Sequence, residues 1–174
     1  VPTVRIRALD NHSELDSALT ELSGYDWVVF ASANAVESVF QRLAELGRDA
    51  RAFHPVSVAA IGSETAAKLK AHGITPDFVP EKFVSEAVVD GLSHWGIADA
   101  HVLYPSSDIR RETIREGLTA LGASVEEVTA YRNVVPHDSR DRIRRVLSDG
   151  IDAATLNALI AAAPVLPDLP QRVG

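Results

Sequence analysis

Tyr25-Asp26-Trp27-Val28-Val29-Phe30-Ala31-Ser32-Ala33-Asn34 passes from a near-continuous apolar run into small polar residues. An apolar run without polar alternation marks a strand covered on both faces, as in a parallel sheet packed under helices. The residues that follow, 33–46, place Val36, Val39, Phe40 and Leu43 on one side of a helix, and Gly47 supplies its stop. Strand, short polar turn and amphipathic helix together make one βα unit.

The same unit recurs on either side. Upstream, residues 3–6 form a strand candidate, and residues 13–22 carry Leu15, Ala18, Leu19 and Leu22 at helical spacing, with Ser13 as the expected N-cap. Downstream, residues 57–61 read as a strand, Gly62-Ser63 as a turn, and residues 64–71 as a helix ending near Gly73. Residues 76–80 read as a short strand, followed by a helix from Ser85, its expected N-cap. Residues 101–104 form another strand, then a Pro105-Ser106-Ser107-Asp108 turn and a helix over 109–121 closed by Gly122. Residues 124–135 are β-rich, and Pro136 ends them. Right-handed crossovers turn this order into an α/β doubly wound parallel sheet of about five strands. The pattern then changes. Residues 138–147 read as a helix and 151–156 as the start of a strand, after which Pro164, Pro167 and Pro170 punctuate the chain. Residues 1–136 are therefore expected to form one nearly complete domain with linker strands, and 137–174 the remnant of a second. Val at position 1 implies a natural start further upstream.

Composition narrows the function. The 174 residues are 46% hydrophobic and 24% charged, ordinary values for a folded soluble protein. The absence of Cys excludes thiolate metal sites and Cys nucleophiles. A net charge of −7 argues against nucleic-acid binding, which needs a basic footprint. The longest apolar stretch, 158–166, is broken by Pro164 and too short to span a bilayer. His12, His54, His72, His94, His101 and His137 lie in separate segments without metal-ligand spacing, so no metal is expected. Phosphate-loop, dinucleotide and nucleophile-elbow motifs are also missing.

Three expected strand ends meet a helix start in small polar residues: Ser32-Ala33-Asn34, Gly62-Ser63-Glu64-Thr65 and Ser106-Ser107-Asp108. Helix capping explains each of them singly. Together they place free amides and helix dipoles on the sheet edge where open α/β folds bind ligands, and such groups favour anions. Arg110, Arg111 and Arg115 share one helix, as a solvated face or as carboxylate partners. Tyr131, in Ala130-Tyr131-Arg132-Asn133, is either a core tyrosine or a phenol able to give up a proton.

In order along the chain, these pieces resemble the uroporphyrinogen-III synthase family. Residues 25–36 are similar to its "D-W-x-x-F-T-S-x-N-A-V" element, and residues 58–66 to its "A-x-I-G-x-x-T-A" turn. Residues 69–80 (LKAHGITPDFVP) are similar to "L-x-x-x-G-x-x-P-D-x-V-P", followed by Phe83-Val84-Ser85-Glu86. Residues 102–108 resemble "V-L-x-P-x-x-x", and residues 122–132 resemble "G-A-x-V-x-x-x-x-x-Y-R". The resemblance implies two flavodoxin-like domains joined by a two-stranded linker, with the substrate between them. It implies a cytoplasmic, monomeric enzyme without cofactor, metal or membrane, which closes hydroxymethylbilane with loss of water and inversion of the last pyrrole ring. Substrate would be held by backbone amides and small hydroxyls, here at Ser32, Asn34, Gly62, Ser63, Thr65 and Ser85. Tyr131 matches the tyrosine thought to assist departure of the hydroxyl.

Two departures stand out. Ala31 replaces the Thr of the first element. After Ile151-Asp152-Ala153-Ala154-Thr155 the family continues into a second "F-T-S" element, which Leu156-Asn157 replaces. A synthase-like fold serving as a non-catalytic ligand-sensing or interaction module is the alternative these departures motivate.

Overall fold

The computed structural model describes residues 5–7, 9–80, 85–109 and 112–134. The chain divides into two compact units: residues 8–132 form the body, and Arg5–Arg7 groups with Asn133 and Val134 in the other. The remnant domain expected at 137–174 lies outside the described residues, as do its helix and strand.

The decisive apolar run becomes β2 (Trp27–Phe30), buried along its whole length. It sits inside a parallel sheet. On one side it pairs with β3 (Ser57–Ala60), from Trp27 opposite Ser57 to Phe30 opposite Ala60. On the other it pairs with β4 (His101–Ser107) at Val102 and Leu103. β5 (Ser124–Val134) lies beyond β4, and β1 (Arg5–Arg7) stands next to β5 in the strand order β1-β5-β4-β2-β3. Phe78 adds a single parallel bridge to Ala59, all that remains of the strand expected over 76–80. Counted within the body, with Phe78 as third, the order is 3-2-1-4-5. The doubly wound parallel sheet is as expected, whereas flavodoxin itself runs 2-1-3-4-5.

Both faces of the sheet are covered, and β2 shows how. Its side chains alternate: Val28 and Phe30 enter one core and Trp27 and Val29 the other. The first core is roofed by α1 (Ser13–Thr20), α2 (Ala33–Glu45) and α3 (Ser63–Ala71), through residues such as Leu19, Val39 and Leu69. The second is roofed by α4 (Ser85–Ser93) and α5 (Glu112–Ala120), through Leu92, Ile114 and Leu118. Among the described residues no helix is long and apolar enough to cross a membrane.

Two expectations are corrected. Ser13 is the first residue of α1 rather than its cap: His12 is the N-cap, and Asn11 accepts the Ser13 N–H at 2.9 Å. The strand expected over 101–104 continues to Ser107, through Pro105. Proline is disfavoured inside sheets because it cannot donate. Here β4 pairs with β2 only at Val102 and Leu103, so beyond them the missing N–H has no β2 carbonyl to disappoint.

Ion pairs tie the helices of the first layer together. Arg42 on α2 donates to both oxygens of Asp16 on α1 and holds that carboxyl below its ordinary range. Lys68, then His72, does the same for Glu37. Both carboxyls bind protons less readily folded than unfolded. Their contribution is therefore complete above the ordinary carboxylate pKa of about 4 and is lost as pH falls through the lowered folded values. Thermal midpoints followed from pH 6 to pH 3 should drop, and combining Asp16→Asn with Glu37→Gln should make that drop shallower. Solvent keeps the effect modest. An equally steep drop in the double variant would show that these pairs do not carry the acid sensitivity.

Candidate functional site at the carboxyl edge of the sheet

Parallel strands bring their carboxyl ends to one edge, and the strand order reverses at β2, whose neighbours are β3 and β4. That reversal opens the crevice where open α/β sheets take ligands. Ser32 follows β2 directly. Its extended backbone (φ −153°, ψ 150°) caps α2, and its Oγ accepts the Ala35 N–H at 3.1 Å. Capping is thus its structural duty, yet it makes a second contact: Ser32 Oγ lies 3.1 Å from the Tyr131 hydroxyl.

Tyr131 reaches Ser32 because of an irregularity in β5. Pairing with β4 runs one to one from His101 opposite Ser124 to Ser106 opposite Thr129, then jumps to Ser107 opposite Tyr131. Ala130 is the extra residue of a β-bulge, a device that re-aims the side chain following it. Ala130 and Tyr131 consequently both enter the core beneath α1, α2 and α3, where strict alternation would send them to opposite faces. Tyr131 is only 7% exposed, with its hydroxyl against Ser32.

The hydrogen bond between them can run either way. With Ser32 as donor, the phenolic proton is available to a ligand; with Tyr131 as donor, it is engaged. Tyr25 makes an instructive contrast at the opposite edge. Its hydroxyl donates to Glu126 at 2.8 Å, and burial, reinforced by that carboxylate, pushes the phenol above its ordinary range. A phenol so engaged is a poor proton donor.

The second turn, after β3, is built on Gly62. Its φ of 104° with ψ of 150° lies in a region essentially reserved for glycine. Ser63 opens α3, no side chain caps this helix, and Ser63 is exposed while Thr65 is buried. Asn34, in the first turn of α2, is exposed. Ser85 is the first residue of α4, and its side chain lies outside the described residues. The structure therefore joins Ser32 to Tyr131 by a hydrogen bond and places Asn34, Gly62, Ser63 and Thr65 at the neighbouring helix starts of the same edge. Replacing Gly62 by Ala is expected to cost roughly 1–3 kcal/mol through backbone strain. A Cβ there would meet nothing within 4 Å, so crowding adds nothing. Asn should fare no better than Ala, because this conformation is not the left-handed helical one that Asn tolerates. Urea denaturation checks both, and a loss under about 0.5 kcal/mol would show that the turn relaxes.

At the third turn a singled-out serine meets a residue that sequence reasoning missed, Glu127 of β5. Ser106 is buried and donates to Oε1 of Glu127 at 2.8 Å, while Oε2 of that carboxylate is buried without a hydrogen bond. Arg115 Nε of α5 lies 3.9 Å from Oε2. Arg115, half of whose sequence-based reading was as a partner for carboxylates, thus faces an internal one. Sequence reasoning read residues 124–135 only as a β-rich run and singled out neither Glu126 nor Glu127. Nothing local distinguishes the exposed Glu126 from its buried neighbour.

A family model described as Uroporphyrinogen-III synthase HemD matches residues 1–164. The chain belongs to the uroporphyrinogen-III synthase family. Uroporphyrinogen-III synthase of Synechococcus elongatus is 34% identical over 142 residues, covering 81% of this chain and 53% of that protein. A mutant uroporphyrinogen III synthase of Thermus thermophilus superposes with a TM-score of 0.68 at 17% identity, over 92% of this chain and 65% of that one. The corresponding Helicobacter pylori structure gives a TM-score of 0.52 at 16% identity, over 91% and 60%. These two likenesses bear on the fold alone. The chain spans about half the length of the cyanobacterial relative it matches.

Proposed function

We propose that the protein to which this chain belongs converts hydroxymethylbilane to uroporphyrinogen III, with loss of water and inversion of the last ring. The observation that carries the reading is the Ser32–Tyr131 hydroxyl pair at the strand-order reversal of a chain belonging to this family. In this reading residues 8–132 take the substrate at the carboxyl edge of their sheet, and the enzyme works as a cytoplasmic monomer without a cofactor.

Departure of the hydroxyl as hydroxide is slow, and departure as water is faster. Tyr131 gives its proton to the leaving oxygen, the carbon–oxygen bond breaks with its electron pair going to that oxygen, and the adjacent pyrrole nitrogen supplies electrons to the carbon. The resulting phenolate is held by the Ser32 hydroxyl as donor. Amides at the starts of α2 and α3, with the exposed polar side chains of Asn34 and Ser63, receive the carboxylates. Neutral donors of this kind hold anions without a basic surface, and charges elsewhere are screened beyond about 8 Å. This is how a protein of net charge −7 accepts a polyanion.

The test is turnover of hydroxymethylbilane by the full-length protein, read by product isomer. Type III product is the expected result. Type I product alone, at the spontaneous rate, would overturn the proposal.

A further inference from the structure

A cavity of about 330 Å³ lies beside the Tyr131 edge, lined by Asn11, Ser13, Glu14, Asp108, Thr129 and Arg132 among others. It adjoins the site through the backbone: the Asp108 N–H donates to the Tyr131 carbonyl at 3.1 Å. Sequence reading placed no site residue in it except Asp108, as part of a turn. We propose that this cavity is a subsite for one carboxylated pyrrole ring, with Arg132 as the residue that takes the carboxylate. The inference rests on the tetrapyrrole reading above and adds to it a place for a single ring and a residue that recognises it.

Three features support the assignment. The first is size. Pockets for drug-sized ligands run from roughly 300 to 1,000 Å³, so this one suits a single ring and not four. The second is that the lining carries both signs. A pyrrole ring with carboxyalkyl arms presents an N–H donor together with anions, so it needs acceptors and a cation in one place. Glu14 and Asp108 supply carboxylate acceptors, Arg132 the guanidinium, and Ser13 and Thr129 hydroxyls of either role. A plain anion would not be served by two acids, nor a plain cation by Arg132.

The third feature is that Arg132 is held by a partner it can exchange. Its Nη1 donates to Asp10 Oδ2 at 2.7 Å, in a pair whose side chains are 49% and 89% exposed. Such a surface pair contributes little and is readily given up. A ligand carboxylate can therefore replace Asp10 in a two-pronged contact with the guanidinium, at little cost to the fold. Asp10 acts as a placeholder, and this gives the proposal an unusual signature: removing an acid should change affinity in the direction opposite to removing the base.

The experiment titrates the full-length protein with a monopyrrole bearing one carboxymethyl and one carboxyethyl arm, followed by calorimetry and by the amide resonances of Asn11, Ser13 and Thr129. Arg132→Gln should weaken binding roughly 10- to 100-fold, the range for a lost charge-assisted contact. Asp10→Asn should tighten binding a few-fold, and the dimethyl ester should not bind. Asp10 is so exposed that its replacement leaves folding intact, which keeps the test valid should Arg132→Gln misfold. Unchanged affinity in both variants, equal binding of the ester, or resonances that do not move would overturn the subsite. Hydroxymethylbilane turnover separates the two failures: type III product without monopyrrole binding sinks the subsite alone, and monopyrrole binding without type III product sinks the enzyme reading alone.

Discussion

Tyr131→Phe in the full-length protein is expected to lower turnover of hydroxymethylbilane about 10²- to 10⁴-fold, the range for removing a positioned proton donor, while product affinity changes far less. The phenyl ring stays in the core, so the fold should lose only about 1 kcal/mol with the bond to Ser32. Ser32→Ala serves as the companion. It removes the hydroxyl proposed to stabilise the phenolate but also the cap of α2, so its expected fall in turnover comes with a stability loss of about 1 kcal/mol. The pair of variants separates chemistry from folding: Tyr131→Phe should strike rate harder than stability, and Ser32→Ala should strike both. Steady-state kinetics beside urea denaturation gives the answer. A Tyr131→Phe protein with undiminished turnover would remove the phenol from the mechanism.

The largest effect on stability is expected at Phe30. It is fully buried at the end of the central strand, with the Phe53 ring 6.3 Å away, centroid to centroid. Phe30→Ala deletes a whole ring from a close-packed layer and should cost about 3–5 kcal/mol. Domains of this kind are stable by only about 5–15 kcal/mol, so the variant retains a reduced margin or unfolds. The thermal midpoint should fall on the order of 10 °C. Phe30→Leu keeps most of the volume and should cost clearly less. Should the two behave alike, loss of the ring's edge contacts, and not the cavity, would be the governing term.

The fold was legible where periodicity spoke. The apolar run at 25–31 announced a strand buried on two faces, and the spacing of Val36, Val39, Phe40 and Leu43 fixed the buried face of α2. Gly47 and Gly122, both at positive φ, close α2 and α5 as their positions suggested. What failed was local grammar overruled by neighbours. Pro105 reads as a turn residue; pairing with Val128 of β5 makes it a strand residue, and the end of the β2 pairing at Leu103 permits a proline there. Residues 76–80 have the composition of a strand but contribute one bridge.

The site was legible in part for similar reasons. Ser32 and Tyr131 were both singled out, 99 positions apart, but no spacing in the sequence joins them, because their meeting depends on strand order and on one bulge. Glu127 and the cavity at Arg132 were not visible at all. A buried carboxylate and a polar hollow are made by elements distant in sequence, and a run of Glu or an Arg before a strand end has many uses.

The bulge at Ala130 also resets the parity of β5. Before it, Val128 shares the first core while Val125 packs on the second; after it, Tyr131 has crossed to the side that odd-numbered positions had avoided. Any count by twos carried through the strand is therefore out of step by one beyond Ala130. Were Ser107 to pair with Ala130, so that no residue bulged, Tyr131 would turn to the other face and away from Ser32. The chemistry proposed for this edge thus hangs on a residue that has none of its own.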